Sequence, residues 1–415
     1  MIKNILSSFA LLIVICQSVL SQNKEIEKKF IKADKLYSKN KSEQAEKVLQ
    51  SLCEKYPYSG KVWDKLINMQ LNIYQDKKKY DNIFSNMTIT TKDKNGNEVQ
   101  NDSLASALKN LLLSVKPSEI YLTQMINSCR KACCLSNESY TASMIIRLFK
   151  VDADDNAKIN DDAREQFADA EKEFKKGNYN TAATYYKKAI ELDSTFYKAK
   201  LYLGDVYYMT KHYGLAVDAF KNAVNTKPNK LEPRKYLVDA LGKLGEYENA
   251  YHAGIDGLMV YPDYSMMAKV SDAGDAANSK CNFHWIIREV FPNSMQVKKT
   301  GEKEISMSAS SADSPWKYYT EAMEKVKVYS NEDGILSANS ITSQKYLELY
   351  SWEYMLEKSQ AKELEFARKM KEKGFLDCYV FISCFHYDFY NQYKDFISSN
   401  KQRVIKYFEL LKGME

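Results

Sequence analysis

One spacing constrains this chain more than anything else in it. Ala182, Ala216 and Ala250 lie 34 residues apart, and so do Ser194, Pro228 and Pro262. Tyr179, Tyr213 and Tyr247 keep the same interval, with Gly177 and Gly245 two residues before the first and last of them. A period of this length is that of a helix-turn-helix unit, which cannot bury its apolar face alone and therefore stacks on copies of itself. Residues 163–264 then hold three units and six antiparallel helices, with no strand among them.

The middle unit shows why the spacing works. It reads Leu203-Gly204-x2-Tyr207, then Ala216-x3-Phe220, Ala223 and Pro228. Small residues at Gly204 and Ala216 let the two helices approach, Leu203, Tyr207 and Phe220 fill the space around the contact, and Pro228 ends the second helix. This pattern resembles the tetratricopeptide repeat, which implies an all-α fold: a TPR-type α-solenoid, a right-handed superhelix of helix-turn-helix units. The first unit carries Gln166 and Asp169 where the family favours Trp and Leu. The third carries Val238 at the small position and Gly254 and Gly257 where Phe and Ala are usual. Departures of this kind are expected at the ends of a short array.

The flanks are less regular. Residues 22–150 read as an N-terminal helical region with TPR-like repeats, because Ala33, Ala45, Leu49 and Pro57 stand where the middle unit has Gly204, Ala216, Phe220 and Pro228. Trp63 and Leu66 match the opening of another unit, whose partner helix would fall near Tyr80–Met87. Thr91–Asp102 is polar and reads as a loop, and helical spacing returns over 103–115, 117–134 and 138–149. Residues 265–292 are expected to form a degenerate closing repeat, 293–314 a serine-rich flexible linker, and 315–415 a separate, aromatic-rich helical domain.

Residues 1–21 have the form of a secretory signal peptide: Lys3, an apolar stretch from Ile5 to Val19, then Ser21. Ile15 is bulky where a lipobox requires a small residue, so no lipid anchor at Cys16 is expected. No later apolar run reaches about 18 residues, so the mature chain is expected without an integral span, in the periplasm or outside the cell. The formal charge is +6, but the basic residues are almost all Lys, scattered without a stripe. Base and phosphate recognition favours Arg, and nucleic acid is not expected as a partner.

Little in the chain suggests chemistry. The four histidines, His212, His252, His284 and His386, form no ligand pair, and a zinc hydrolase needs three ligands and a base. Cys53, Cys129, Cys133, Cys134, Cys281, Cys378 and Cys384 sit among apolar neighbours, as buried thiols do. A disulfide involving Cys129, Cys133 or Cys134 stays open at this point. No glycine-rich phosphate loop is present. Neither a metal nor a cofactor is expected, and the chain reads as a non-enzyme.

The resemblance implies that the first helix of each unit lines a concave groove. The corresponding residues are Arg164, Phe167, Glu171, Phe174, Lys198, Leu201, Asp205, Tyr208, Met209, Glu232, Lys235, Asp239 and Lys243. Aromatic anchors among mixed charge suit a peptide or helix from a partner protein. Family members that grip a terminal carboxylate place Lys, Asn and Arg where this chain has Phe167, Glu171, Tyr202, Glu232 and Tyr236, so that ligand is not implied. The expected function is an exported interaction scaffold. The alternative is an enzyme or anchoring module in 315–415, marked by a polar cleft around Asp377, His386 and Asp388. The oligomeric state is not legible.

Overall fold

A computed structural model of the chain describes residues 22–85, 90–92, 98–100, 117–136, 139–151, 158–278, 281–297, 303–309, 313–326, 328–330, 336–338, 346–412 and 414. The signal segment and the helix expected over 103–115 lie outside these residues. The chain divides into two compact units, Met1–Ile146 and Arg147–Glu415.

In the first unit, α1 (22–37) and α2 (Ser42–Lys55) form a helix pair. Ala33, Ala45 and Leu49 are wholly buried, as the TPR-like register requires. The turn between them places Asn40 at φ 58°, and the Lys41 N–H closes onto the Leu36 carbonyl at 3.0 Å. This is the left-handed ending that satisfies the last carbonyls of a helix. The following helix departs from expectation: α3 (Gly60–Ser85) runs unbroken where two helices were expected, because Gln75–Lys79 offers good helix formers and no Gly or Pro to stop it. A two-stranded hairpin, β1 (Thr90–Lys92) with β2 (Glu98–Gln100), occupies part of the expected loop. α4 (Pro117–Leu135) and α5 (Tyr140–Ile146) complete the unit. Glu46 ties three helices together, accepting from Gln70 Nε2 at 2.7 Å and Tyr121 Oη at 2.9 Å.

The second unit holds the solenoid. Its three pairs are α6 (Asp161–Lys175) with α7 (Tyr179–Leu192), α8 (Tyr197–Met209) with α9 (Tyr213–Thr226), and α10 (Glu232–Leu244) with α11 (Tyr247–Leu258). Ala182, Ala216 and Ala250 are buried in every pair, where a larger side chain would force the helices apart. Each pair turns through one left-handed residue at the same register: Gly177 (φ 81°), Lys211 (φ 61°) and Gly245 (φ 77°). The next N–H then closes onto the carbonyl five residues back, from Asn178 to Glu173, His212 to Tyr207 and Glu246 to Leu241. The recurrence of backbone bonds, rather than of side chains alone, establishes the TPR-type solenoid.

The third repeat inverts the packing of the first two. Ala170 faces Tyr186, and Gly204 lies so close to Phe220 that an added Cβ would fall inside contact with its ring. One period later the large residue is on the first helix and the small one on the second: Val238 opposite Gly254. A Cβ on Gly254 would stand 2.5 Å from Val270, and one on Gly257 2.5 Å from Met266. Both partners belong to α12 (Tyr264–Ala276). The glycines of the third repeat therefore serve the close approach of a further helix, not a solvent-facing end.

α12 is the first helix of the closing repeat, but its expected partner does not form. Residues 281–289 are not helical and lead into β3 (Val290–Val297), as suits a stretch of aromatic and β-branched residues before Pro292. β3 pairs antiparallel with β4 (Lys303–Ala309), which continues through β5 (Val328–Ser330) to β6 (Leu336–Ala338) in a four-stranded sheet. In the segment expected to be a linker, the described residues 293–297 and 303–309 thus lie in paired strands. Its period-two alternation, Ile305, Met307 and Ala309 between polar residues, was hidden by its serine content.

Residues 315–415 are aromatic as expected, and their described residues form α13 (Trp316–Val326), α14 (Leu347–Lys358), α15 (Glu365–Glu372) and α16 (Tyr390–Lys412, kinked at Asn400), but they also contain the strands β5 and β6 where helix alone was expected. They are not a separate domain. Tyr393 Oη donates to the Leu258 carbonyl at 2.6 Å, the Tyr261 ring meets Phe385 at 5.1 Å, and Lys412 lies 4.2 Å over Tyr251. The last repeat ends in aromatic surface, and covering it removes that surface from water. At the centre Glu348 accepts from Arg288, Tyr319 Oη and Trp352 Nε1. The Arg288 guanidinium also lies 5.2 to 5.6 Å from the Trp316, Tyr319 and Phe389 rings. A buried charge pair so fully bonded avoids most of the cost of leaving water.

Candidate functional site

The candidate site is the face formed by α6, α8 and α10. Asn160 caps α6, its Oδ1 accepting from the Asp162 and Ala163 N–H groups at 2.9 and 3.2 Å. The period then places like positions in rows: Arg164, Lys198 and Glu232; Phe167, Leu201 and Lys235; Glu171, Asp205 and Asp239. Each row crosses the repeats: the first carries two cations and Glu232, the second Phe, Leu and Lys, and the third carboxylates alone.

Of the thirteen residues expected to line the groove, Arg164, Lys198, Met209 and Lys243 are exposed, Met209 at 54%. Phe167 is half-buried, its ring 4.9 Å from Phe196, 5.5 Å from Tyr202 and 5.6 Å from Tyr186. Phe174 and Tyr208 each lean on the repeat tyrosine that follows, Tyr179 and Tyr213, at 5.4 Å. Leu201 does not belong to the surface. It is buried in the solenoid core.

The carboxylates differ in their partners. Glu171 accepts from Tyr186 Oη. Asp239 pairs with Lys269. Glu232 pairs with Arg147, a residue buried to 1% exposure, and Asp263 lies 4.0 Å from Arg147 and 3.7 Å from Lys235. The face of the third repeat is thus neutralised by the chain itself. Asp205 has Glu171 as its charged neighbour: burial, then Glu171, pushes its carboxyl up to about 7. Burial, then Asp205 and Glu232, pushes the Tyr236 hydroxyl up to about 12.

A groove of about 280 Å³ opens where the first and second repeats meet, lined by Ile159, Arg164, Phe167, Phe196, Lys198 and Lys227, with Thr195 and Tyr197. Sequence reading missed Phe196 and Lys227 because both precede or follow helices rather than lie on their inner face. It missed Arg147 as well, although an Arg inside the apolar run Ile145–Phe149 had to be paired.

The residues that could mark a catalytic cleft are engaged with neighbours or buried. Asp377 pairs with Arg403, bonding both Nε at 2.7 Å and Nη2 at 3.0 Å. His386 and Asp388 are buried beside each other at 3.4 Å. The cysteines beyond residue 21 are buried thiols, and burial raises Cys53 and Cys384 to about 12 and Cys281 to about 11. Burial thus favours the thiol form of these side chains over the thiolate. Among the described residues no three His, Cys, Asp or Glu side chains gather as metal ligands.

No protein-family model matches the chain, and no curated protein matches it. Among solved structures, the TPR2AB domain of yeast Sti1 in complex with pHSP90 matches at 12% identity and a TM-score of 0.27, over 61% of this chain and 99% of that one. The Yersinia enterocolitica type III secretion chaperone SycD, in complex with a peptide of the translocator YopD, matches at 18% identity and 0.26, over 29% and 95%. The Sgt2 TPR domain of Aspergillus fumigatus matches at 12% identity and 0.28, over 29% and 82%. At these scores the likeness adds nothing to the register and turns described above, which carry the TPR-type assignment by themselves.

Proposed function

We propose that the protein is an exported, non-enzymatic scaffold that binds a peptide or helix of another protein along the inner face of its three repeats. The observation that carries this reading is the half-buried and exposed apolar set Phe167, Phe174, Tyr208 and Met209, held on rigid helices beside charges of both signs. Rigid aromatic groups supply contact area at low entropic cost, and binding energy concentrates on them. The expectation of export rests on residues 1–21. No helix of the described residues is long and apolar enough to cross a membrane. Nucleic acid is not part of this reading, since the inner face is acidic at Glu171 and Asp205.

The test starts from a partner recovered from the native host with the full chain as bait. Tyr208→Ala with Phe174→Ala should weaken that partner by about 2 kcal/mol or more, with the helical circular dichroism signal intact. Unchanged affinity in the double variant refutes the inner face as the binding surface.

A further inference from the structure

The groove between the first two repeats has a volume and a lining that select a ligand. At about 280 Å³ it falls just below the roughly 300–1,000 Å³ of sites that enclose small molecules, so it suits one large side chain of a bound segment. Its floor is aromatic: Phe196 and Tyr197 are buried, and Phe167 lies 4.9 Å from Phe196. Its rim carries Arg164, Lys198 and Lys227.

Two described acids of this region, Asp193 and Asp161, are not bound tightly to Arg164 or Lys198. Asp193 spends one carboxylate oxygen on the Asn160 N–H at 3.0 Å and the other on the Thr195 N–H and hydroxyl at 2.9 and 2.6 Å. Asp161 reaches Arg164 only at 3.9 Å and is almost fully exposed, where such a pair contributes little. Lys200 donates to Thr226 Oγ1 at 2.8 Å.

We propose that this groove anchors a partner segment in which a large apolar side chain stands beside an internal Asp or Glu. The apolar side chain lies on the Phe167 and Phe196 rings, and the carboxylate is taken by Lys198 and Arg164, with Lys227 lining the same groove. This rests on the reading of the inner face as a peptide-binding surface and adds the chemistry of the ligand. A terminal carboxylate is not required, because the cations stand at the edge of the face.

The experiment is selection of a displayed random-peptide library on the immobilised full chain, each peptide fused at its C-terminus so that no terminal carboxylate is free. The wild type should enrich peptides with Asp or Glu next to Leu, Ile, Phe or Trp. Arg164→Glu with Lys198→Glu, both at exposed positions, should lower their affinity by about tenfold or more and leave the circular dichroism spectrum unchanged. Enriched peptides that lack an acid, or that bind the charge-reversed variant equally, overturn the proposal. If those peptides still depend on Phe174 and Tyr208, the broader reading survives. Enrichment of no peptide overturns both, as does sedimentation with anionic vesicles in place of any peptide binding.

Discussion

The exchange of large and small residues between the second and third repeats can be tested as a thermodynamic cycle. Phe220 is 1% exposed, and Phe220→Ala should cost about 4 kcal/mol through lost burial and the space left behind. Gly204→Val brings a branched side chain into the Phe220 ring, an overpacking of about 2 kcal/mol, offset by roughly 0.4 because Val is the better helix former. In the double variant the valine enters the space the ring vacated, as Val238 does opposite Gly254. Three buried carbons at about 0.8 kcal/mol each restore roughly 2 kcal/mol. The double variant should therefore cost about 2 kcal/mol, roughly 3.6 less than the roughly 5.6 kcal/mol of its parts added together. Guanidinium unfolding followed by circular dichroism measures the total, and native-state hydrogen exchange at α8 and α9 locates it. Costs that add to within about 0.5 kcal/mol would show that Gly204 and Phe220 do not share one space and refute the packing argument.

Other outcomes follow from single contacts. Lys211→Gly should stabilise the solenoid by about 1 kcal/mol, since a side chain at φ 61° carries a left-handed penalty that glycine lacks; thermal melts decide it. Arg288→Met should cost about 3 to 5 kcal/mol by stranding Glu348, and adding Glu348→Met should recover much of the loss, whereas equal melting of single and double variants would remove the pair from the core. Asp205 has a carboxyl raised to about 7, so its contribution to stability is full below the ordinary carboxylate range and is lost as pH rises to about 7. Asp205→Asn should flatten that part of the pH profile of the denaturation midpoint, and an unchanged slope would place the charge elsewhere. Tyr393→Phe should cost about 1 kcal/mol by leaving the Leu258 carbonyl unpaired, read as faster hydrogen exchange in α11.

The repeats were legible because their register is written in residues that act on the backbone: alanines where helices touch, glycines where the chain must turn left-handed. Lys211 shows the limit of that alphabet. The turn is present there without the glycine, held by the same bonds as its neighbours. The inner face was legible as a row of positions but not as a surface, since Leu201 shares its register position with the half-buried Phe167 and yet is buried, an outcome set by packing between helices that the spacing does not express. Arg147, the β3 to β6 sheet and the cover over Tyr251 and Tyr261 depend on contacts between residues far apart in sequence. No local period announces such pairings, and 293–314 was misread because serine content outweighed a seven-residue alternation.

The inverted packing of the third repeat also decides how this array can lengthen. Phe220 of the second repeat meets Tyr236, and Tyr186 of the first meets Tyr202, so an inserted copy of residues 197–230 would set its tyrosine against the Phe220 before it and its phenylalanine against Tyr236 after it, and fit at both junctions. A copy of the third repeat would not. Its Gly254 and Gly257, shaped to Val270 and Met266, would face Tyr236 and Glu232 of the duplicate, a ring and a carboxylate where there is room for neither. A duplicated middle unit therefore fits this solenoid where a duplicated third unit does not, and the third repeat is shaped to precede α12 rather than another copy of itself.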